Sequence, residues 1–297
     1  MALPDLLSRK LVIVTGKGGV GKTTVTAAIA RAAASKGKRV LCAEIVPHPE
    51  TPSQLNEALG GAAPTEEPTR ADENIDVVLL TPTMGHRRFL QDTLPLKVLA
   101  DAAMKSQGLK KFLMAAPGFS EMGVMYRAVD LMRRGKWDLM LLDAPATGHS
   151  LALAQIPAFL LKVIPKGPIG RIAKQGLEVL TDPKVTSSIV VTLPETLPVT
   201  EALELATGLE RHKVPVGVVV VNRVPADPFS ADERAAVKKL VTTGHGVFGG
   251  RELARIERSD AALQLLKQHA HRKVIEVSEL ELKGPALARE LATRLAR

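Results

Sequence analysis

An α/β fold, with a mostly parallel sheet covered by helices on both faces, is predicted by three observations. Short apolar, β-branched runs recur along the chain and alternate with longer helical stretches, the order that builds a parallel sheet. The runs are continuously apolar, as in strands buried on both faces. The first run opens into a glycine-rich turn ending in Lys-Thr, and an alanine-rich stretch follows it.

The elements follow in order. Residues 11–15 (Leu-Val-Ile-Val-Thr) are the first strand. Residues 22 to about 36 are rich in alanine, the strongest helix former, and Gly37 is a natural stop. Residues 40–46 form a second strand, then Pro47, Pro49 and Pro52 and the stretch 60–68 mark a loop-rich region. Residues 75–80 are a third strand. From about 86 to 134 the pattern is mostly helical, broken near Pro117 and Gly118. Residues 137–142 return to strand and end in Asp143. Residues 151 to about 180 read as short helices kinked at Pro157, Pro165 and Pro168. Strands at 188–193, 216–221 and 274–277 remain, with helices at 199–213, 230–240, 252–270 and 285–297. The helix at 199–213 sets Ala202, Leu205, Ala206 and Leu209 on one face.

Composition narrows the function. With 45% hydrophobic and 24% charged residues, the chain can build a large core and is not a disordered segment. Aromatics are 3%, too few for a platform that stacks single-stranded nucleic acid. The net charge of +9 is scattered in pairs such as Arg87-Arg88, Arg133-Arg134 and Lys238-Lys239, which reads as a solvated surface. Cys42 is the one cysteine, so no disulfide or zinc cluster forms within the chain, which suits the cytosol. Residues 1–10 carry no apolar signal region, and no apolar run approaches the roughly 18 residues a membrane span needs. A membrane role is therefore expected to be peripheral or through a partner.

Gly16-Lys17-Gly18-Gly19-Val20-Gly21-Lys22-Thr23-Thr24 satisfies the phosphate-loop pattern G-x-x-x-x-G-K-[ST]. The glycines let backbone N–H groups turn inward around phosphate oxygens, and the helix that follows adds partial positive charge. Lys22 reaches the β- and γ-phosphates of ATP, and the Thr23 hydroxyl ligates Mg2+. A strand before and a helix after supply the context this motif needs. The strand ending at Asp143 places an acid where it holds Mg2+ through water. The whole chain, 1–297, thus reads as one P-loop domain. The helical stretches 86–134 and 151–185 are insertions forming one subdomain beside Asp143.

Lys17 exceeds the general loop. The segment K-G-G-x-G-K-[ST] resembles the deviant Walker A group: partitioning ATPases of the ParA/MinD type, the ArsA arsenite-pump ATPases, and the Get-pathway ATPases that deliver tail-anchored proteins. Two further segments narrow the resemblance to the ArsA/Get branch. Asp143-Ala-Pro145-Ala-Thr147-Gly148-His149 is similar to its switch II signature, and residues 191–201 (VTLPETLPVTE) look like its strand-to-helix connection. Together they cover most of residues 11 to about 225. The resemblance implies that Lys17 crosses a dimer interface to the partner's nucleotide, in a homodimer or a heterodimer with a relative. It implies that the backbone near Gly148 contacts the γ-phosphate. It also implies that Asn222, at the end of the valine-rich strand and beside Arg223, reads the adenine edge. His149 is either a switch residue or a packing residue.

The pattern departs at the second strand, Leu41-Cys-Ala-Glu44-Ile-Val46-Pro-His-Pro-Glu50. The family carries an acid here that activates water, and Val46 occupies its place. Glu44 and Glu50 are the nearest substitutes, and Glu44 shares a strand face with Val46. The cysteines of an arsenite site and the C-x-x-C zinc clamp of the eukaryotic Get ATPases are both missing.

Met104, Met114, Met122, Met125 and Met132 lie in the helical insertion, and the last three share a face. They form either ordinary core or a groove for a hydrophobic client. The last helix carries Leu287, Leu291 and Leu295 on one face, for packing on the sheet or for an anionic membrane. The reading that results is a dimeric ATPase whose nucleotide state controls a hydrophobic protein client or membrane partner. A nucleotide-gated module with little turnover is the alternative, and a DNA-positioning ATPase a more distant one.

Overall fold

The computed structural model describes residues 3–93, 118–145, 147–243 and 249–296. Eight strands form one sheet in the order β3-β4-β2-β5-β1-β6-β7-β8. They are β1 (Leu11–Gly16), β2 (Val40–Ile45), β3 (Thr69–Asp72), β4 (Ile75–Leu80), β5 (Leu139–Asp143), β6 (Thr186–Thr192), β7 (Val216–Val224) and β8 (Lys273–Ser278). Every pairing is parallel except that of β3 with β4.

Among the described residues the helices are α1 (Leu3–Leu7), α2 (Lys22–Ala34), α3 (Gln54–Leu59), α4 (Pro82–Thr93), α5 (Phe119–Arg133) and α6 (Thr147–Val163), then α7 (Gly167–Thr181), α8 (Thr196–Arg211), α9 (Ala231–Thr242), α10 (Gly250–His269) and α11 (Gly284–Ala296). The period of two along each strand sends alternate residues to opposite faces. Val12, Val14, Cys42, Leu141, Val191 and Val220 meet α2, α3 and α11 on one face. Leu11, Ile13, Ala43, Leu142, Val190 and Val219 meet α5, α8 and α10 on the other. Both faces are dry, which is why the strands read as unbroken apolar runs.

Three elements escape the sequence reading. The proline-rich region after β2 contains α3, started by Ser53, whose Oγ accepts from Asn56 N at 3.0 Å, and ended by Gly60 in the left-handed region. Prolines at its flanks hide this cap in the sequence. β3 is polar (TRAD) and lies at the sheet edge, so burial imposes no apolar pattern on it. The short α1 buries Leu6 and Leu7. Pro157 lies inside the continuous α6 and does not divide it, contrary to the expected kinks.

The helices of the two expected insertions do pack together. Phe89 of α4, Met122 of α5, Leu160 of α6 and Ala173 of α7 form a small core of their own. Met122 and Met125 are buried there and against the sheet, so these methionines act as core in this structure. Met104 and Met114 lie outside the described residues. Of the two roles for the last helix, packing is observed: Leu291 and Leu295 are buried, and α11 lies along α2.

Candidate functional site

β1 lies between β5 and β6, so its C-terminal loop opens at the centre of the sheet beside the tip of β5. Loops leaving the C-terminal ends of parallel strands are where such sheets gather ligands. Here Gly16 ends β1 and Lys17, Gly18, Gly19 and Val20 form the turn. Gly21 caps α2 with φ 91°, a left-handed conformation that favours glycine. A Cβ at Gly21 would lie 2.3 Å from Asn222 Nδ2. The residue is thus glycine both for its torsion and for the approach of β7.

Three polar side chains converge at the start of α2. The Thr23 hydroxyl donates to Asp143 Oδ2 at 2.7 Å. The Thr26 hydroxyl, one turn on, lies 3.3 Å from Asp143 Oδ1 and 3.0 Å from Lys22 O. Lys22 Nζ donates to Lys17 O at 3.0 Å. Thr24 occupies the first turn with partial exposure. Burial is the main influence on the charges. It lowers the Lys22 ammonium, with Asp143 acting against the drop. It raises the Asp143 carboxyl to about 6, the Thr23 hydrogen bond opposing and the Glu44 charge reinforcing the rise. The site therefore holds a buried acid that, among the described residues, the Lys22 ammonium compensates.

Lys17 turns away from this cluster, and its Nζ sits 2.5 Å from Glu201 Oε1 on α8 of the same chain. A second connection runs beneath the loop. The Thr15 hydroxyl donates to Ser150 Oγ at 2.7 Å, and Ser150 Oγ donates to Pro145 O at 2.7 Å. The end of β1 is thereby tied to the segment after Asp143. Gly148 falls in the first turn of α6. The His149 side chain lies outside the described residues.

Two residues expected at the site have hydrogen-bond partners within the chain. Glu44 is buried and pairs in register with Asp143. Its Oε1 accepts from Gln54 N at 3.2 Å and its Oε2 from the Ser53 hydroxyl. The carboxylate thus caps the N-terminus of α3. Glu50 is exposed in the turn after β2, and Val46 is buried. Asn222 is buried too. Its Nδ2 donates to Val20 O at 2.9 Å and its Oδ1 accepts from Arg223 N at 3.0 Å. Its amide ties the phosphate loop to β7, using one hydrogen-bonding position on each of its two polar atoms.

Arg223, at φ 58°, instead lines a cavity of about 600 Å³ beyond the ends of β6 and β7. Leu193, Pro194, Arg255, Arg258 and Glu279 share its wall. Thr26, Ser150, Glu201, Arg255 and Arg258 were not singled out in the sequence. They come from five separate positions and carry no common spacing. Glu201 alone was within reach, as the last residue of the 191–201 segment.

A phosphate-type loop at the central strand, with an acid on the adjacent parallel strand, defines a P-loop nucleotide-binding protein. The family profile "Anion-transporting ATPase" matches residues 9–172 and 169–241, and the chain belongs to that family. Among curated proteins, it is 26% identical over 264 residues to a "Putative arsenical pump-driving ATPase" of Halobacterium salinarum, covering 81% of this chain and 40% of that protein. It is 30% identical over 215 residues to an "Arsenical pump-driving ATPase" of Escherichia coli, covering 71% and 34%. It is also 29% identical over 157 residues to "ATPase ASNA1 homolog 1" of Paramecium tetraurelia, covering 53% and 46%. The chain thus spans less than half the length of each. No helix among the described residues is long and apolar enough to cross a membrane.

Proposed function

We propose that the chain binds and hydrolyses ATP with Mg2+, that two copies, or this chain and a relative, close on the nucleotide, and that closure controls a protein client or membrane partner. The carrying observation is the Thr23–Asp143 contact of 2.7 Å beside Lys22. Hydroxyl and carboxylate are the hard oxygen donors that Mg2+ takes, with water and phosphate completing its shell. The buried carboxyl, raised to about 6 despite the Lys22 charge, fits this role. Bound Mg2+ offsets phosphate charge. Lys22 then exchanges the Lys17 carbonyl for phosphate oxygens, and the α2 N-terminus adds its dipole. The cavity at Arg223, Arg255 and Arg258, beyond the ends of β6 and β7, is large enough for a base and ribose. Asn222 holds the loop in shape. The fold is read as one domain with the α4–α7 helices as its insertion, the part exposed to a client.

The substrate in the relatives' names is not carried over. Cys42 lies buried within β2, and burial pushes its thiol far up, so it offers no thiolate to a soft ion.

A second reading has its own support. Val46 fills the place of the expected acid and Glu44 is engaged by α3, which favours tight binding with slow turnover. Fluorescent-nucleotide titration alongside steady-state phosphate release separates the readings. Binding and turnover, both lost in Lys22→Ala, support the ATPase. Binding with turnover at background supports the gated module. Wild type that binds no ATP ends both.

A further inference from the structure

Lys17 and Glu201 join two parts of the chain that are 184 residues apart. Lys17 belongs to the phosphate loop, and Glu201 stands in the second turn of α8. Val199 and Ala202 on either side of Glu201 are buried, so α8 is a fixed mount. The contact of 2.5 Å is half-exposed, with the lysine side chain 45% and the glutamate 29% accessible. Pairs of this kind are weak enough to be exchanged. The same lysine residue offers its carbonyl to Lys22 Nζ at 3.0 Å. One residue therefore occupies both lysines of the motif, its side chain on Glu201 and its carbonyl under Lys22. Glu201 also has an unmet capacity, because its Oε2 is buried and accepts from no group among the described residues. A carboxylate oxygen has room for a further donor when one is brought within reach.

We propose that Glu201 is a latch for Lys17. In the nucleotide-free chain it holds the lysine in cis, away from any second chain. When phosphate draws Lys22 off the Lys17 carbonyl, the loop loosens, and Lys17 leaves Glu201 for the nucleotide of the facing chain. Glu201 is thus a positioning residue that sets the threshold for pairing. The proposal rests on the reading that two chains close on ATP.

The test compares wild type, Glu201→Gln, Glu201→Asp and Lys17→Ala. Nucleotide affinity is measured by fluorescent-ATP titration and self-association by sedimentation with and without ATP. Glu201→Gln keeps the size and loses the charge, so folding is preserved. Its nucleotide affinity stays within about twofold of wild type, while ATP-dependent association rises by about two- to thirtyfold, since a symmetric pair opens two latches. Lys17→Ala abolishes ATP-dependent association. Glu201→Asp, which keeps the charge on a shorter arm, falls between wild type and Glu201→Gln. Amine-reactive labelling of the nucleotide-free chain, read by mass spectrometry, gives faster modification of Lys17 in Glu201→Gln. Unchanged or weaker association of Glu201→Gln beside normal wild-type pairing overturns the latch alone. Wild type that binds ATP and stays monomeric overturns the pairing reading and the latch with it.

Discussion

At the scale of the residue, Asp143 and Lys22 show a site built for a ligand. Burial pushes the carboxyl up to about 6 and the ammonium down, so both charges are held at a cost the fold bears elsewhere. Asp143→Asn is therefore expected to leave the nucleotide-free chain at least as stable as wild type in urea denaturation, and to remove Mg2+-dependent turnover. His86 gives a pH prediction of the opposite kind. It is buried, with Nε2 donating to Phe119 O at 2.6 Å, and burial lowers its pKa below the usual 6.5. A lowered pKa means that the neutral ring stabilises the fold above the unfolded value and that this is lost as pH falls through the folded one. Thermal stability should therefore fall in the wild type relative to His86→Gln as pH drops from about 7 to 5. Asp143 and Glu44, raised by burial, gain stability over the same fall. Only the difference between the two proteins isolates His86, and a constant difference would refute its role.

At the scale of the element, the helices beside the site depend on close approach and on one buried cation. A Cβ added to Gly85 of α4 would fall 1.9 Å from Gly123 O of α5. Backbone cannot yield as a side-chain tip can, so Gly85→Ala should destabilise by about 1–3 kcal/mol. Urea midpoints measure it, and a neutral result would mean the two helices slide freely. Arg127 of α5 is fully buried, and it links Glu66 O at 3.0 Å, Glu67 at 3.0 Å and Asp130 at 2.8 Å. It pins the loop before β3 to the helix. Arg127→Ala opens a cavity and strands these acceptors, two of them partly hydrated, for an expected loss of about 2–4 kcal/mol. The element boundaries in this region were only partly legible. The helical pattern of 86–134, broken near Pro117 and Gly118, announced α5, whereas the polar edge strand β3 and the small capped helix α3 took their form from neighbours.

At the scale of the whole molecule, nucleotide binding is expected to stabilise the fold by linkage. At a hundredfold excess of MgATP over its dissociation constant the gain is about 2.7 kcal/mol. The melting temperature should rise with MgATP in wild type and stay fixed in Lys22→Ala. A rise that also grows with protein concentration marks association. The absence of any rise would count against ATP as the ligand.

The sequence by itself determined the α/β class, the parallel strands and the phosphate loop with its lysine and threonine. The physical reason is that these features are local. A strand buried on both faces must be apolar throughout, and a loop that wraps phosphate must place its glycines at fixed spacing. The acid at the tip of β5 was readable for the same reason. Only the tertiary structure decided how side chains far apart in the chain were used. Glu44 meets the N-terminus of α3, and Asn222 meets Val20, contacts that no spacing in the sequence announces. Glu201 and Lys17 meet only because β6 pairs with β1 and sets α8 beside the loop. Polar partners chosen across the sheet leave no period in the sequence, because a hydrogen bond needs proximity in space and not spacing along the chain.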